Sequence, residues 1–329
     1  MTDWKSIPKV ELHLHLEGAA PPDFIRQLAA EKNMALDGVF DDNGAYAWTN
    51  FAEFLVTYHK ACAVLTGPDE FRRLTEAVLA TSAGDGVLYT EVFIAPDICG
   101  GGDPVAWHDY LSAILEGAAN AKAAHGIDAR FIPTCIRNLG ADAAVNAAKL
   151  SVAEMGPMVT GFGMGGEERD FTAMDFVPAF AIAAEAGMGI TSHAGELCGP
   201  DSVRDTLDHL PVSRIGHGVR SIEDPELVKR IADEGVVLET NPGSNISLNV
   251  FDDWPAHPIK KLRDAGCKVT ISTDDPPYFH TDMPREYRKL NETFGWEKDD
   301  FLALNLIAAE AAFCDEETRT ALIARLKEG

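Results

Sequence analysis

Short apolar runs alternate with helix-patterned stretches along nearly the whole chain. This alternation limits the possible folds more than any single motif does. Strand-like runs are predicted within 10–18 and at 87–94, 128–136, 159–163, 190–193, 215–217, 236–239 and 268–273. Helical patterns fall between the later ones, at 107–124, 142–154, 175–186, 201–210 and 257–265. A further helix is marked at both ends: Asp224 can cap it, Pro225 takes the first position, Leu227, Val228 and Ile231 form one apolar face, and Gly235 follows. Repeated strand–helix units imply a parallel sheet, and eight of them imply a closed α/β barrel, the (β/α)8 or TIM architecture. An open doubly wound sheet is the weaker alternative, because no GxGxxG follows the first run.

The interval between the first two strands is long and holds several helical patterns. One is entered at Pro21-Pro22-Asp23, and others cover 51–65 and 70–82. Phe51, Phe54, Leu55, Tyr58 and Leu65 recur at helical spacing, which ordinarily means packing. Part of this insertion is expected to cover the mouth of a pocket, since hydrolysis benefits from limited water access. Three more helical stretches, near 284–294, 299–313 and 316–326, follow the last strand. A single domain over residues 1–329 accommodates all of this.

The 28 basic and 52 acidic residues leave a net charge of −24. That argues against a nucleic-acid partner or an anionic membrane surface. The six cysteines show no CxxC spacing, which disfavours a zinc ribbon or a disulfide framework and fits a reducing compartment. No apolar leader precedes Pro8 and no apolar run reaches membrane-spanning length, so a cytoplasmic location is expected.

The first run contains His13 and His15, which share one face of a strand because strand side chains repeat every two residues. Two such imidazoles suit a divalent metal, although a pair of core histidines would read the same way. Taken singly, His193 could be structural, Glu196 a solvated loop residue, and Asp274-Asp275 before Pro276 a turn or helix cap. In a barrel, however, the C-terminal ends of all strands lie on one face. His13, His15, His193, Glu196, His217, Asp274 and Asp275 then converge. Three imidazoles and a carboxylate suit zinc with one position open for water, whose pKa the metal lowers to roughly 7. The remaining polar groups would handle protons and orient the substrate.

Four stretches, His13-Leu14-His15-Leu16-Glu17-Gly18, His193-Ala194-Gly195-Glu196, Arg214-Ile215-Gly216-His217-Gly218 and Ser272-Thr273-Asp274-Asp275-Pro276, resemble the adenosine deaminase family of the amidohydrolase superfamily. The resemblance runs in order from about Pro8 to the last helix. It implies hydrolytic deamination of a small 6-aminopurine with release of ammonia. It also implies one Zn2+ per chain on His13, His15, His193 and Asp274. Glu196, His217 and Asp274 are the implied catalytic residues: Glu196 protonates a ring nitrogen as hydroxide adds at C6, and His217 orients that hydroxide. His15, Glu17, Gly166 and Asp275 are the implied substrate contacts, with Asp275 on the purine's imidazole edge and Gly166 against the ring.

The stretch also departs from the family pattern. Glu17 stands where many adenosine deaminases have Asp, and Asn241 where relatives often have Cys. Asp275-Pro276-Pro277-Tyr278-Phe279 is similar to the adenine deaminase branch, whereas Gly216-His217-Gly218 is similar to the adenosine branch. Adenosine or deoxyadenosine is expected ahead of adenine, on the grounds that Gly216 leaves room beside the ring and Glu17 can accept from a sugar hydroxyl. Against this, Tyr278 and Phe279 could crowd a sugar. Adenine or a modified aminopurine is the alternative. A hydrolase with two metals bridged by a carbamylated lysine is disfavoured, because no lysine stands at a predicted strand end. Retention of both Glu196 and His217 argues against a non-catalytic binding protein. The H-x-E with P-C-x-x-C pattern of other zinc base deaminases is absent.

Overall fold

Strands β1 (Lys9–His15), β2 (Val87–Ile94), β3 (Asp128–Ile136), β4 (Gly161–Gly165), β5 (Gly189–Ala194), β6 (Arg214–His217), β7 (Val237–Thr240) and β8 (Lys268–Ile271) lie side by side in chain order. Each neighbouring pair is parallel. The computed structural model in which they are seen describes residues 2–328, with the Phe51 side chain outside the described part. The sheet closes on itself where Leu14 pairs with Asp274. There His15 N–H donates to the Asp274 carbonyl, and Asp274 N–H donates to the His13 carbonyl, both at 3.1 Å. Below this point side chains replace the ladder: Leu12 N–H donates to Ser272 Oγ at 3.2 Å, and Glu11 accepts from Thr273 N–H at 3.0 Å. The seam therefore sets Asp274 between the two histidines of β1.

The bottom of the barrel is closed from outside. Arg214 pairs with Glu91 and Glu239, both at 2.6 Å, and its guanidinium lies 3.6 Å over the Phe313 ring. Phe313 fills the space above two glycines, since a Cβ would come within 2.7 Å of its ring at Gly161 and within 2.3 Å at Gly189. The helices Met283–Phe294, Lys298–Ala311 and Glu316–Glu328 follow β8. Asn305, in the second of them, accepts from Val10 N–H at 2.8 Å and so ties it to β1.

At the other end the insertion after β1 folds into the helices Pro22–Lys32, Phe51–Cys62 and Pro68–Gly84. Asn50 caps the middle one by accepting from Glu53 N–H. The approach to that helix is pinned to the loop after β8. Tyr46 stacks on Tyr278 with centroids 3.8 Å apart, and Trp48 Nε1–H donates to the Tyr278 carbonyl at 2.8 Å.

β2 and β3 coincide with their predicted ranges, and Asp224 and Gly235 flank the helix Pro225–Glu234 as expected. β4 is displaced by two residues from the predicted 159–163, because Gly161-Phe162-Gly163-Met164-Gly165 has little of the β-branched character that marks strands. The helix expected over 257–265 spans only Ile259–Asp264. His257 precedes Pro258 and is extended, as the ring of a following proline demands. A short helix, Pro242–Ser247, was not anticipated; it opens with proline at its first position. Among the described residues, no helix is long and apolar enough to cross a membrane.

Candidate active site

The seam and the adjacent strand ends gather the predicted ligands. One donor atom from each of His13, His15, His193 and Asp274 lies within 4.8 Å of the others. His15 Nε2 is 3.2 Å, and His13 Nε2 3.4 Å, from Asp274 Oδ1. Two of the imidazoles are oriented from behind. His13 Nδ1–H donates to Glu239 at 2.8 Å, and His193 Nδ1–H donates to the Met164 carbonyl at 2.7 Å. Each therefore turns an Nε2 lone pair toward the cluster, the usual arrangement around metal-binding histidines. His13 Nε2 is buried without a hydrogen-bond partner. These donors fit a divalent cation of the zinc type, with room for a further ligand.

Asp274 also accepts from Ser244 Oγ at 2.7 Å. Burial would raise its pKa, but His13 and His15 overcome this and hold it well below the usual range. His217 and Asp274 both adopt positive φ, 65° and 69°. Such backbone is uncommon for residues other than glycine, costs on the order of 1–3 kcal/mol each, and concentrates at functional sites.

Above the cluster lies a cavity of about 260 Å³. Of the carboxyls that line it, Glu17, Glu196 and Asp275 each have a buried oxygen without a hydrogen-bond partner. Burial raises Glu196 well above the carboxylate range, and the nearby Asp274, Glu168 and Asp275 add to the effect. Asp275 is raised by burial and by Asp274 and Glu17, and Glu17 by burial to about 7. Neutral carboxyls of this kind can donate hydrogen bonds to ring nitrogens. His217, fully buried, is pulled by burial to about 3 and is a neutral imidazole. Gly166 lines the cavity with φ 98°, and a Cβ there would lie 2.7 Å from Asn138 Oδ1. Phe54, Leu55, Tyr58 and His59 of the insertion line the mouth, as expected, with Phe279 beside them.

Gly216 corrects one expectation. A Cβ there would sit 2.8 Å from His13 Cε1. Its lack of a side chain makes room for a ligand imidazole rather than for a sugar.

Several supporting residues escaped the sequence reading. Glu239 holds His13 and is itself held by Thr191 and Arg214; a charged residue in the otherwise apolar Val236-Val237-Leu238 run was the available signal. Glu168 receives the backbone of the loop that carries Glu196. Its carboxylate accepts from the N–H groups of Gly195, Glu196 (3.2 Å), Leu197 (2.7 Å) and Cys198 (2.9 Å), and from Ser202 Oγ (2.6 Å). Asn245 and His257 stand behind His217.

A parallel eight-stranded barrel that opens on such a cluster has the build of a metal-dependent hydrolase. Comparison with known proteins narrows this. The family model described as adenosine deaminase matches residues 8–329. The adenine deaminase of Rhizobium rhizogenes is 48% identical over 322 residues, covering 97% of this chain and 99% of that protein. The solved structure of an adenine deaminase from Arthrobacter aurescens superimposes with a TM-score of 0.89 at 27% identity, covering 98% of both chains. A zinc-bound amidohydrolase from Burkhoderia ambifaria gives a TM-score of 0.86 at 28% identity, over 100% of this chain and 93% of that one. The chain belongs to the adenosine deaminase family. It is a hydrolase acting on the C–N bond of a cyclic amidine, and its reaction is the hydrolytic deamination of an aminopurine.

Proposed function

We propose that this chain deaminates free adenine to hypoxanthine and ammonia, with one divalent cation, zinc by its donor set, held by His13, His15, His193 and Asp274. The near full-length identity to an adenine deaminase carries the choice of substrate. It reverses the order expected from the sequence, which put adenosine and deoxyadenosine first. No lysine lines the cavity among the described residues, so none there could form a carbamylated-lysine bridge between two cations.

The cation, when bound, supplies a nucleophile from water at neutral pH. The protein's own groups prepare the purine. Glu196, neutral and facing the cavity, gives its proton to the ring nitrogen beside the amino-bearing carbon, which makes that carbon electrophilic. His217 orients the incoming oxygen on the Asp274 side, where its Nε2 lies 3.8 Å from Asp274 Oδ2. Asp275, neutral by burial, donates to the imidazole edge of the purine. Gly166 brings backbone close to the ring.

Glu17 supports the free base over the nucleoside. Its unpartnered oxygen needs a donor, and adenine's imidazole ring carries an N–H that a nucleoside has exchanged for its sugar. A site built to pair such a group rejects ligands that lack it by about 10⁴–10⁵-fold. Phe54, Tyr58 and Phe279 form an aromatic wall on the cavity. The test is kcat/KM for adenine, adenosine and deoxyadenosine on one zinc-loaded preparation. Adenine is expected to lead by orders of magnitude. A preference for either nucleoside overturns the substrate assignment, and no turnover of any of the three overturns free-base deamination.

A further inference from the structure

Four imidazoles crowd this site, and the partner on Nδ1 divides them. Behind His13 and His193 stand acceptors, a carboxylate and a carbonyl, which leave an Nε2 lone pair facing forward. His217 is backed differently. The chain of contacts starts at Ile259, the first residue of the helix Ile259–Asp264. Its backbone N–H, one of the orphan donors of a helix start, reaches His257 Nδ1 at 3.3 Å. A backbone N–H can only donate, so His257 Nδ1 accepts and the ring's proton sits on Nε2. That Nε2–H is 3.1 Å from Asn245 Oδ1 and donates to it. The amide is thereby fixed with its nitrogen toward His217, where Nδ2 lies 3.1 Å from Nδ1.

A second amide, that of Asn241, lies close to both ring nitrogens and does not tell them apart. Asn241 Nδ2 lies 3.3 Å from the same Nδ1 and 3.4 Å from Nε2, and donates to the Glu239 carbonyl at 3.3 Å. Glu196 Oε1, at 3.6 Å from Nδ1, is too far to compete. Asn241, Asn245, His217 and His257 are all buried, so water does not scramble the chain.

We propose that Asn245 and His257 are positioning residues that lock His217 in the Nε2-protonated tautomer, presenting an N–H rather than a lone pair to the reacting oxygen. Two consequences follow. His217 Nε2 lies beside Asp274, in a second grouping of Glu196, His217 and Asp274 whose donor atoms are within 4.8 Å. With its proton there, the ring cannot ligate a cation, so it stays free to orient substrate. The same proton is available as a hydrogen-bond donor to an oxygen arriving on the Asp274 side.

This inference deepens the deaminase reading, and the first arm of its test is independent of that reading. Nitrogen NMR of zinc-loaded protein labelled in histidine, with the His217 signals assigned by the loss of signal in His217→Gln, reports where the proton sits. It should show Nε2 protonated and Nδ1 bare. Asn245→Asp is close to isosteric but can only accept, so it should move the proton to Nδ1. In that variant kcat should fall about 10–100-fold, the usual effect of losing an outer-shell partner, with zinc content and KM nearly unchanged. His257→Gln, whose amide can still donate to Asn245 Oδ1, should recover most of kcat; His257→Phe should not. A protonated Nδ1 in the wild-type protein overturns the proposal whether or not adenine is the substrate. So does an Asn245→Asp protein that folds, binds zinc and keeps wild-type kcat. Should Asn245→Asp or His257→Phe fail to fold, the wild-type spectrum alone decides. An absence of turnover in wild type with the expected spectrum rejects the deaminase reading and leaves the tautomer lock standing.

Discussion

Glu168 illustrates how much of this site depends on residues that never meet the substrate. One buried carboxylate collects the amides of four successive residues, 195–198, and so sets the loop on which Glu196 stands. Its charge is also among the reasons, after burial and Asp274, that Glu196 keeps its proton. Glu168→Gln retains the shape but turns an NH2 group toward donors and removes the charge. Misplacing a catalytic group by about 1 Å can cost about 10²-fold, and a loss of that order in kcat is expected with zinc content unchanged. The direction of the pH effect follows from the charge. Removing a nearby negative group lowers the pKa of Glu196, so it gives up its proton at lower pH. With Glu196 as the proposed acid, the alkaline limb of the kcat profile should move to lower pH. A variant with a normal profile and normal kcat would detach Glu168 from the proton donor. Glu196→Gln should be more severe, in the range of about 10²–10⁴-fold, since the donor itself is gone.

Among the elements, the helix Pro242–Ser247 is the least self-sufficient. Its six residues are too few to be stable alone. It nonetheless carries Ser244, which holds Asp274, and Asn245, which backs His217. It is held from outside by Glu286 of the helix Met283–Phe294, which accepts from Gly243 N–H at 3.1 Å and from Thr281 Oγ. Burial raises Glu286 from 4.5 to about 8, against the pull of those hydrogen bonds. Below about pH 4.5 the carboxyl is protonated in folded and unfolded chains alike. Between there and about 8 only the folded chain retains the proton, so stability falls as pH rises, and the loss is complete above 8. Glu286→Gln removes this dependence. Its Tm relative to wild type should climb between pH 5 and 9, by a free energy on the order of a few kcal/mol. An offset that stays constant over that range would show that Glu286 does not titrate there. This helix also marks the limit of what the sequence discloses. A six-residue helix leaves no periodicity to find, and the pattern over 257–265 starts the next helix at His257, two residues before the structure does. Most of the strands were legible as apolar runs between turn-forming residues, the glycine-rich β4 less so. His13, His15, His193, Glu196, His217, Asp274 and Asp275 were legible because each closes such a run or follows it closely. Glu168, Glu239, Asn245 and His257 act through those residues, and the contacts that link them to the site span 12 to 226 positions, where only the folded chain brings them together.

At the scale of the whole barrel, the proposed cation sits across the place where the sheet is least continuous. β1 and β8 share a single backbone bridge at Leu14 and Asp274, with side chains completing the seam below it. Two donors come from β1, one from β5 on another part of the wall, and one from the residues past β8. A cation on these four groups joins both sides of the seam to β5. His13 Nε2 is buried without a hydrogen-bond partner of its own. Binding should therefore stabilise the entire fold and not only the loops. The gain follows the free cation concentration, about 4 kcal/mol at a thousandfold excess over Kd. For a chain of this size that corresponds to roughly 5–10 °C in Tm. Chelated protein should melt earlier by about this amount, and added zinc should raise Tm in proportion to its logarithm. His193→Ala, which removes the β5 ligand, should flatten that dependence while retaining helical and sheet content by circular dichroism. If Tm proves indifferent to chelation in protein whose zinc has demonstrably been removed, the cation serves chemistry alone and the seam holds without it.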